Sequence, residues 1–490
     1  MMLILSILFP VLLGIGILIK REFKNRVVLL TLTGIGLVVT AALGMGVVLG
    51  GETELMLFSF GKNLDLYFSV DAMGKLFAVV VNLVWVLAGF YAFDYMKHEK
   101  EEKRFFGFYV IVHGVLHGLV FAGGMVTFYL FYELMTLLSV PLILHNRSKD
   151  AIKGGLKYLF YSLFGAYMVL FGLFFLNRFA DSMAFLPGGT LNLGAVAGNE
   201  TLMLIVSLSM ILGFSVKAGM FPLHAWLPTA HPVAPAPASA VMSGIIVKMG
   251  VLGMIRVVYY LIGADFIRGT WVQTTWMSLS LVTVFMGSML AYREKVMKKR
   301  LAYSTVSQAS YILFGLSLLQ PTAMSGALLH VVFHAIIKSC LFLSAGAIIY
   351  KTQKTNVDDL RGIGKEMPAT IWCYTLAAAA LIGIPPASGF ISKWYLATGA
   401  LSSNTGVFSW LGPVVLLVSA LLTAGYLLPI TVKGFLPGVD YNYGELKKKE
   451  PNVIMLLPLL ILGVLAVVLG IFPNPLADYI RTIVSAVLSA

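Results

Sequence analysis

The chain has 490 residues, of which 59% are hydrophobic and 12% are charged, and its mean hydropathy is +0.90. This composition excludes a soluble globular protein, in which about a quarter of the residues are charged, and the long apolar runs exclude a β-barrel, whose strands are short and alternating. The net charge of +13 comes from bases in short loops between apolar runs, so we expect a lipid bilayer as partner and no nucleic acid.

About fourteen apolar segments, each near the 20 residues that one crossing requires, predict fourteen transmembrane helices. The first is followed by its basic cluster, the reverse of the order in a cleaved signal peptide, so we expect it to be retained. The expected centres of spans one to fourteen are Val11, Leu37, Val84, Val115, Leu134, Tyr167, Ile211, Lys248, Val282, Ile312, His334, Ile382, Val418 and Leu462. The alternating segment GETELMLFSFGKNLDLYFSVD predicts a β-hairpin, and the amphipathic DYIRTIVSAVLSA is expected to lie on the outer surface.

Basic residues occur mainly in alternate loops, and the loops on the inner side of a membrane are the ones enriched in lysine and arginine. With the N-terminus placed outside, the loops predicted to face inside carry Lys20, Arg21, Lys24, Arg26, Lys97, Lys100, Lys103, Arg104, Arg147, Lys149, Lys153, Arg293, Lys295, Lys298, Lys299, Arg300, Lys351, Lys354, Arg361, Lys365, Lys433, Lys447, Lys448 and Lys449. The segments predicted to face outside carry Lys62, Lys75, Arg178, Arg268 and Arg481. This bias predicts a multi-pass membrane protein with both termini outside. With a prokaryotic host assumed, the expected location is the plasma membrane.

Two predicted spans are interrupted by glycine and proline close to a lysine. In span seven, within FSVKAGMFPLHAWLPTAH, Lys217 is followed by Gly219 and Pro222. In span twelve, LIGIPPASGFISKWYL contains Pro385, Pro386 and Gly389 before Lys393. Broken helices are tolerated in a membrane only where the freed backbone groups meet protein or water, so they indicate a functional centre. A simple proline kink at each position is the alternative.

The broken spans are five apart, and because five is odd, two tandem five-helix units would have opposite orientations. Matched broken helices in two halves are typical of transporters with inverted repeats. The predicted organisation is therefore N-terminal helices one to three (residues 1–104), a first repeat of helices four to eight (105–263), a second repeat of helices nine to thirteen (264–433), and helix fourteen with a C-terminal amphipathic segment (434–490).

Titratable side chains lie inside several predicted spans, where a charge costs about 3 kcal/mol or more. The candidates for a proton path are Glu133, Lys217, Lys248, His330, His334, Lys338 and Lys393. Lysine and histidine change protonation readily with their surroundings, so such residues mark ion pathways. We expect Glu133 to form an ion pair with Lys217, and its displacement to release a proton from the lysine. A protonated Glu133 bonded to a hydroxyl such as that of Tyr132 is the alternative.

His330, His334 and Lys338 follow one another at intervals of four residues, which places them on one helix face about 6 Å apart. We favour a proton relay for them. A zinc site is the rival, since two histidines four apart can bind zinc, and core histidines bonded to backbone or hydroxyl groups are a third alternative. Lys393 is expected in the outer half of its span, as a gate toward the outside or as a snorkelling lysine.

No cofactor and no metal are expected in this chain. Its two cysteines, Cys340 and Cys373, lie in apolar runs without the CxxC spacing of iron–sulfur or zinc sites. No GxGxxG or Walker A motif occurs at a turn from strand to helix, so no nucleotide site is predicted either.

The same residues resemble a known family. The segment KAGMFPLHAWLPTAHPVAPAPASAVMSGIIVKMGVLGMIR, Lys217 to Arg256, resembles the core motif of antiporter-like membrane subunits, and KYLFYSLFGAYMVLFG, LAYSTVSQASYILFG and HVVFHAIIKSCLFLSAGAI are similar to further segments of that family. The family includes the proton-pumping membrane subunits of respiratory complex I, the multi-subunit cation/proton antiporters, and the membrane-bound hydrogenases and their relatives. The resemblance covers nearly the whole chain.

The resemblance implies fourteen helices with inverted repeats, and it implies a role for each matching residue. Glu133 and Lys217 would be the modulating pair, and Lys248 would be the bridge. His330, His334 and Lys338 would be the link between repeats. Lys393 would be the outer terminal site.

The resemblance also implies a proton-translocating subunit of a redox-driven complex of the complex I or membrane-bound hydrogenase type. A subunit of a multi-subunit sodium/proton antiporter, not driven by electron transfer, is the alternative. The expected partners are other antiporter-like subunits, small membrane subunits, and peripheral subunits that carry iron–sulfur clusters, where the redox chemistry would occur. A stand-alone solute transporter and a structural membrane spacer with frozen charge pairs are two further rivals.

Overall fold

The structure is a computed structural model that describes residues 1–23, 25–61, 63–439, 441–442 and 448–488. Lys24, Lys62 and Lys447, three bases of the loop pattern, lie outside these residues. In the described part of the chain, eleven helices are long and apolar enough to cross a membrane. The prediction of an all-α polytopic membrane protein is therefore confirmed.

Helices account for most of the described chain, and one short hairpin interrupts them. The first half contains α1 (Met2–Ile19), α2 (Arg26–Leu49), β1 (Glu54–Ser59), β2 (Asp65–Ser69), α3 (Ala72–Tyr95), α4 (Glu102–Val120), α5 (Met125–Ile143), α6 (Lys149–Phe179), α7 (Leu193–Val196), α8 (Glu200–Ala218), α9 (Leu227–Val233), α10 (Ala236–Val241) and α11 (Val247–Val257). The second half contains α12 (Ala264–Ile267), α13 (Trp271–Arg293), α14 (Met297–Ser317), α15 (Pro321–Thr352), α16 (Ile363–Glu366), α17 (Pro368–Ile382), α18 (Ser388–Leu401), α19 (Val407–Phe435), α20 (Val453–Ile471) and α21 (Asn474–Leu488). Two π-helical turns, Met242–Ile246 and Val258–Ile262, flank α11.

Each predicted span centre falls within one of these helices. Three of those helices are not among the eleven apolar ones. α4 and α14 begin with charged turns, and α17 is only 15 residues long. The count of fourteen crossings stays a prediction. The predicted boundaries at 104 and 433 fall inside α4 and α19, whereas the one at 263 falls between helices.

The predicted hairpin is confirmed, because β1 and β2 pair in antiparallel register with Leu55 opposite Phe68. The C-terminal segment forms α21, an amphipathic helix whose Ile480, Ile483 and Val487 are buried. Its Tyr479 hydroxyl donates to the carbonyl oxygen of Ala72 at 3.0 Å, which ties the end of the chain to the start of α3. Its placement on the outer surface stays a prediction.

The core is built around α15 and the continuous helical stretch from Ala236 to Ile262, in which nearly every residue is buried. Glycine brings neighbouring helices close together around it. A Cβ atom at Gly165 of α6 would come 2.5 Å from the Gly213 carbonyl oxygen of α8, and one at Gly287 of α13 would come 2.7 Å from a backbone nitrogen of α14. Helices in a membrane associate through such close packing, since burial from water does not drive their contact.

An ion pair between a buried arginine and a half-buried aspartate joins α3 to the end of α11. Arg256 donates to both carboxylate oxygens of Asp71, at 2.5 and 2.7 Å, and its guanidinium lies over the rings of Phe185 and Tyr260. Asp71 also caps α3 by accepting from the Gly74 amide. Burial by itself raises the pKa of Asp71, but the charge and hydrogen bonds of Arg256 outweigh it and lower the pKa below its ordinary value.

We expect Asp71→Asn to destabilise the protein by about 3 kcal/mol, because it leaves the buried Arg256 charge unpaired. The asparagine oxygen can still cap α3, so the loss reports the charge pair. The measurement is the apparent melting temperature of the purified protein in detergent. The contribution should be complete above the ordinary aspartate pKa of about 4 and disappear as the pH falls through the lower folded value. Adding Arg256→Met should restore much of the loss; no recovery would contradict this account.

Candidate functional site

The first of the two interrupted helices is α8, and Lys217 lies in its last turn. α8 stops at Ala218, and Gly219 follows with a φ of +80°, a left-handed conformation that glycine adopts without strain. The freed carbonyl oxygen of Val216 accepts a hydrogen bond from the Trp226 indole at 2.7 Å. The helix thus ends inside the protein with this carbonyl bonded, and Lys217 lies fully buried in its last turn.

Hydroxyl groups hold the Lys217 ammonium. Its Nζ atom donates to Thr136 Oγ1 at 2.6 Å and to Tyr158 OH at 3.1 Å, and it lies 5.1 Å from the ring centroid of Tyr132. The Tyr158 hydroxyl shares a further hydrogen bond with Ser139 at 2.8 Å. Because hydroxyls both donate and accept, this environment fits a lysine in its charged and in its neutral form, as a proton carrier requires.

The predicted ion pair between Glu133 and Lys217 is not formed in this structure. Among the described residues, Glu133 has no ion pair within 4.0 Å, and its Oε1 atom is buried without a hydrogen-bond partner. Thr136, three residues further along α5, lies next to Nζ instead. Since residues three apart on a helix are neighbours, Glu133 lies about one turn from the ammonium site.

Lys248 and His334 are in direct contact. The Nζ atom of Lys248 lies 2.6 Å from Nδ1 of His334 and 2.6 Å from the carbonyl oxygen of Ser243. Ser243 belongs to the π-helical turn that precedes α11, and π turns within helices are frequent at functional sites. A neutral imidazole nitrogen accepts a hydrogen bond from an ammonium, so a proton can pass between these two buried side chains along this bond.

The three candidates on α15 contact three different helices. His334 reaches α11, while the ring of His330 stacks on it with centroids 5.7 Å apart and lies 2.9 Å, through Nδ1, from Ser392 Oγ of α18. Lys338 donates from Nζ to the carbonyl oxygen of Leu301 on α14 at 3.0 Å. The spacing of four residues therefore does place the two histidines together, as the sequence predicts, and Lys338 turns toward another neighbour.

Lys393 binds the end of the second broken helix. α17 stops at Ile382, and the Lys393 ammonium donates to the carbonyl oxygens of Leu381 and Ile382 at 2.7 and 3.0 Å. The last carbonyls of a helix have no partner within it and attract cations. Nζ also lies 5.1 Å from the ring centroid of Tyr311, which stacks on His330. Lys393 thus provides hydrogen bonds to the carbonyl groups left without a partner where α17 ends.

These contacts join the candidates of α11, α15 and α18 into one row. Lys248 meets His334, and His334 stacks on His330. His330 binds Ser392, the residue before Lys393 in sequence. We define Lys248, His334, His330, Ser392 and Lys393 as the central row; hydrogen bonds join Lys248 to His334 and His330 to Ser392, and ring stacking joins the two histidines.

Lys217 lies beside the central row through the packing of α8 on α11. A Cβ atom added at Gly250 would come 3.1 Å from Cβ of Lys217, two residues along from Lys248. In the part of the chain that the structure describes, Glu133 and Lys338 form no hydrogen bond with another candidate. The roles of all seven candidates stay predictions.

A profile of the family described as "NADH:quinone oxidoreductase/Mrp antiporter, TM" matches residues 122–424, which include every candidate side chain. The chain belongs to this family. A second profile, "NADH-Ubiquinone oxidoreductase (complex I), chain 5 N-terminus", matches residues 57–106.

Relatives of both the redox and the antiporter type are similar to this member of the family. It is 30% identical over 422 residues to an NADH-quinone oxidoreductase subunit, of the N type, from Desulforudis audaxviator, covering 82% of this chain and 81% of that one. It is 26% identical over 499 residues to a Na(+)/H(+) antiporter subunit, of the D type, from Alkalihalophilus pseudofirmus, covering 99% and 97%. The fold matches a chain of the membrane-bound sulfane sulfur reductase, an archaeal respiratory membrane complex, with a TM-score of 0.86 at 22% identity over 99% and 97% of the two chains.

Sequence reasoning missed the hydroxyl partners of this family member. Thr136 and Tyr158 hold Lys217, and Ser392 holds His330. Serine, threonine and tyrosine occur throughout membrane helices, so the sequence offers no signal that singles these out. The expected acidic partner, Glu133, forms no ion pair with Lys217 within 4.0 Å in the described part of the chain, and its modulating role stays a prediction.

A second pair of histidines was missed although it does carry a signal. His113 and His117 on α4 have the four-residue spacing of His330 and His334, and both contact Asn82 of α3. No group of three histidine, cysteine, aspartate or glutamate side chains that could hold a metal occurs within the described ranges. The expectation of a chain without metal stays a prediction.

Proposed function

We propose that this chain translocates protons across the membrane as a subunit of a complex whose redox chemistry takes place in other subunits. The observation that carries the proposal is the central row, in which Nζ of Lys248 lies 2.6 Å from Nδ1 of His334 inside the protein. Two buried bases without a carboxylate between them cost free energy, and a structural role does not require them. As proton carriers they are useful, since a proton bound at one changes the proton affinity of the next.

We place the chain in a plasma membrane with both termini outside, among other antiporter-like and small membrane subunits. The alternating positions of the basic loops support the orientation. Peripheral subunits with iron–sulfur clusters belong to the same proposal. Two comparisons support the redox-driven complex. One relative is named as a subunit of a quinone oxidoreductase, and the fold is similar to that of a chain from a respiratory membrane complex.

A subunit of a sodium/proton antiporter is the second candidate function. The alignment with the Na(+)/H(+) antiporter relative covers nearly all of both chains and favours it. In that case the same row would exchange protons for a second cation, and an ion gradient would replace electron transfer as the energy source.

Purification of the tagged chain in mild detergent decides between the two candidates. Mass spectrometry of the co-purifying subunits, with iron and nickel analysis, is the measurement. We expect subunits that contain iron, and nickel would indicate the hydrogenase type. Small hydrophobic subunits without iron would contradict the redox-driven proposal and support the antiporter.

Proton movement itself is tested with the purified complex in sealed liposomes that contain a pH-sensitive dye. We expect the internal pH to change when the complex is energised, by reductant in the redox case or by a sodium gradient in the antiporter case. An uncoupler abolishes the signal if it arises from protons. A complex that is active in electron transfer but moves no protons would contradict the proposal.

A further inference from the structure

A second cluster of buried polar groups lies among the N-terminal helices, outside the central row. Nε2 of His113 and Nε2 of His117, both on α4, each lie 2.9 Å from Oδ1 of Asn82 on α3. Nδ1 of His117 lies 3.2 Å from the carbonyl oxygen of Ser6 on α1. The two histidines are fully buried and Asn82 is 4% exposed. α2 contributes Gly44, where a Cβ atom would come 2.5 Å from the His117 ring.

The hydrogen bonds of this arrangement fit a protonated histidine. Both atoms that face His117, Oδ1 of Asn82 and the Ser6 carbonyl oxygen, can only accept. His117 makes both bonds when each ring nitrogen carries a hydrogen, which is the imidazolium form. Nδ1 of His113 and Nδ2 of Asn82 then have no hydrogen-bond partner among the described residues.

The same heavy-atom positions also fit a neutral cluster. A half-turn of the Asn82 amide exchanges its oxygen and nitrogen, which have nearly the same shape. The NH2 group then lies between the two Nε2 atoms and donates one hydrogen to each. Each ring carries its hydrogen on Nδ1, and His117 still donates to Ser6. The two states differ by one proton, by one amide rotation and by the tautomer of His113, whose hydrogen is on Nε2 in the first state and on Nδ1 in the second.

Few charged groups face this cluster. α1 contains none; α2 contains only Arg26, which pairs with Glu102 at the first turn of α4. The charged residues of α3, Lys75 and Asp94, lie near its two ends, and Lys75 Nζ donates to the Gly50 carbonyl oxygen. Lys103 and Arg104 come directly after Glu102 and lie in the same first turn of α4.

The fourth helix that packs against α4 is α5, whose Phe131 meets Gly118, the residue after His117. Its acidic residue, Glu133, lies about one turn from the Lys217 site. His113 itself is the remaining titratable neighbour of His117, with ring centroids 5.1 Å apart. The charge of a proton on His117 would therefore be shared mainly with Asn82, Ser6 and His113.

We propose that Asn82, His113 and His117 form a buried proton-binding site, separate from the central row, in which rotation of the Asn82 amide accompanies uptake of one proton by His117. α3 connects this site to the candidate proton path. Its Val84 lies beside Gly244 in the π turn before Lys248, and its Tyr91 hydroxyl donates to a backbone carbonyl of α15.

The test is solid-state NMR of the intact complex in lipid bilayers, with 15N-labelled histidine, between about pH 5 and pH 9. The 15N shifts distinguish the two neutral tautomers from the imidazolium. Among the imidazolium signals that appear on acidification, we expect one that is absent from His117→Phe. Asn82→Asp should move the midpoint of this titration upward by at least about one pH unit, since a carboxylate within hydrogen-bond distance favours the charged ring.

The exposed His98 provides the control, because His98→Phe should leave the titrating signal unchanged. If the two cluster histidines keep their neutral tautomers through the whole pH range, the proposal is overturned. Signals that respond to added zinc and not to pH would overturn it too, since they would show a metal site. Asn82→Asp keeps the test decisive if His117→Phe fails to assemble.

Discussion

Lys217→Ala should abolish proton translocation while the complex still assembles. The ammonium is fully buried at the end of a broken helix and is bound by the hydroxyls of Thr136 and Tyr158. Each hydroxyl keeps another partner once the ammonium is gone, the Tyr132 carbonyl oxygen for Thr136 and the Ser139 hydroxyl for Tyr158, so we expect a larger effect on transport than on stability. The measurement is dye-detected proton movement by the purified complex in liposomes, with subunit composition checked on the same sample.

Two further variants show why the lysine is needed. Lys217→Arg keeps the positive charge but cannot release its proton. If Lys217 carries protons, the arginine variant should be as inactive as the alanine variant; if it acts only as a fixed charge, the arginine variant should work. Lys75→Ala, which removes a lysine at the start of α3, should transport normally. Normal pumping by an assembled Lys217→Ala complex would refute the role of this residue.

The sequence predicts the helices well because a membrane imposes a simple rule on them. A crossing needs about 20 apolar residues, and each predicted centre lies in a helix for that reason. The sequence also indicated where α8 and α17 end, because glycine and proline follow each other there within a few residues. Single glycines and prolines elsewhere, such as Gly165 and Pro141, lie inside continuous helices. Helix ends were less predictable: α4 begins at Glu102 with a charged turn, and α19 continues past Lys433 to Phe435.

Partners of buried charges were the part that the sequence could not supply. Spacing along one helix predicts that His330 and His334 share a face, because that relation is local. The partner of Lys217 on a neighbouring helix depends on how that helix is rotated about its axis. On α5 the ammonium contacts Thr136, which lies only three residues after Glu133. The contact between Lys248 and His334 joins residues 86 positions apart, and no spacing rule reaches that far.

His334→Ala should lower proton translocation by about 100-fold, the loss typical of removing a proton-transfer group. The substitution removes the ring that contacts both Lys248 and His330 in the central row. Lys248 keeps its bond to the Ser243 carbonyl oxygen, so the lysine should stay in place. Transport by the complex in liposomes is the measurement, alongside the rate of the driving reaction, which should continue or become uncoupled.

His334→Asn separates a relay from an anchor. The asparagine oxygen can accept a hydrogen bond from Lys248 but cannot carry a proton. A relay predicts that the asparagine variant is as impaired as the alanine variant, whereas a purely structural role predicts recovery. Zinc analysis of wild-type and variant complexes completes the test: one zinc per chain that disappears with His334 would replace the relay by a metal site. Equal zinc content together with loss of transport in both variants would establish proton transfer through His334 as the step that links Lys248 to the rest of the row.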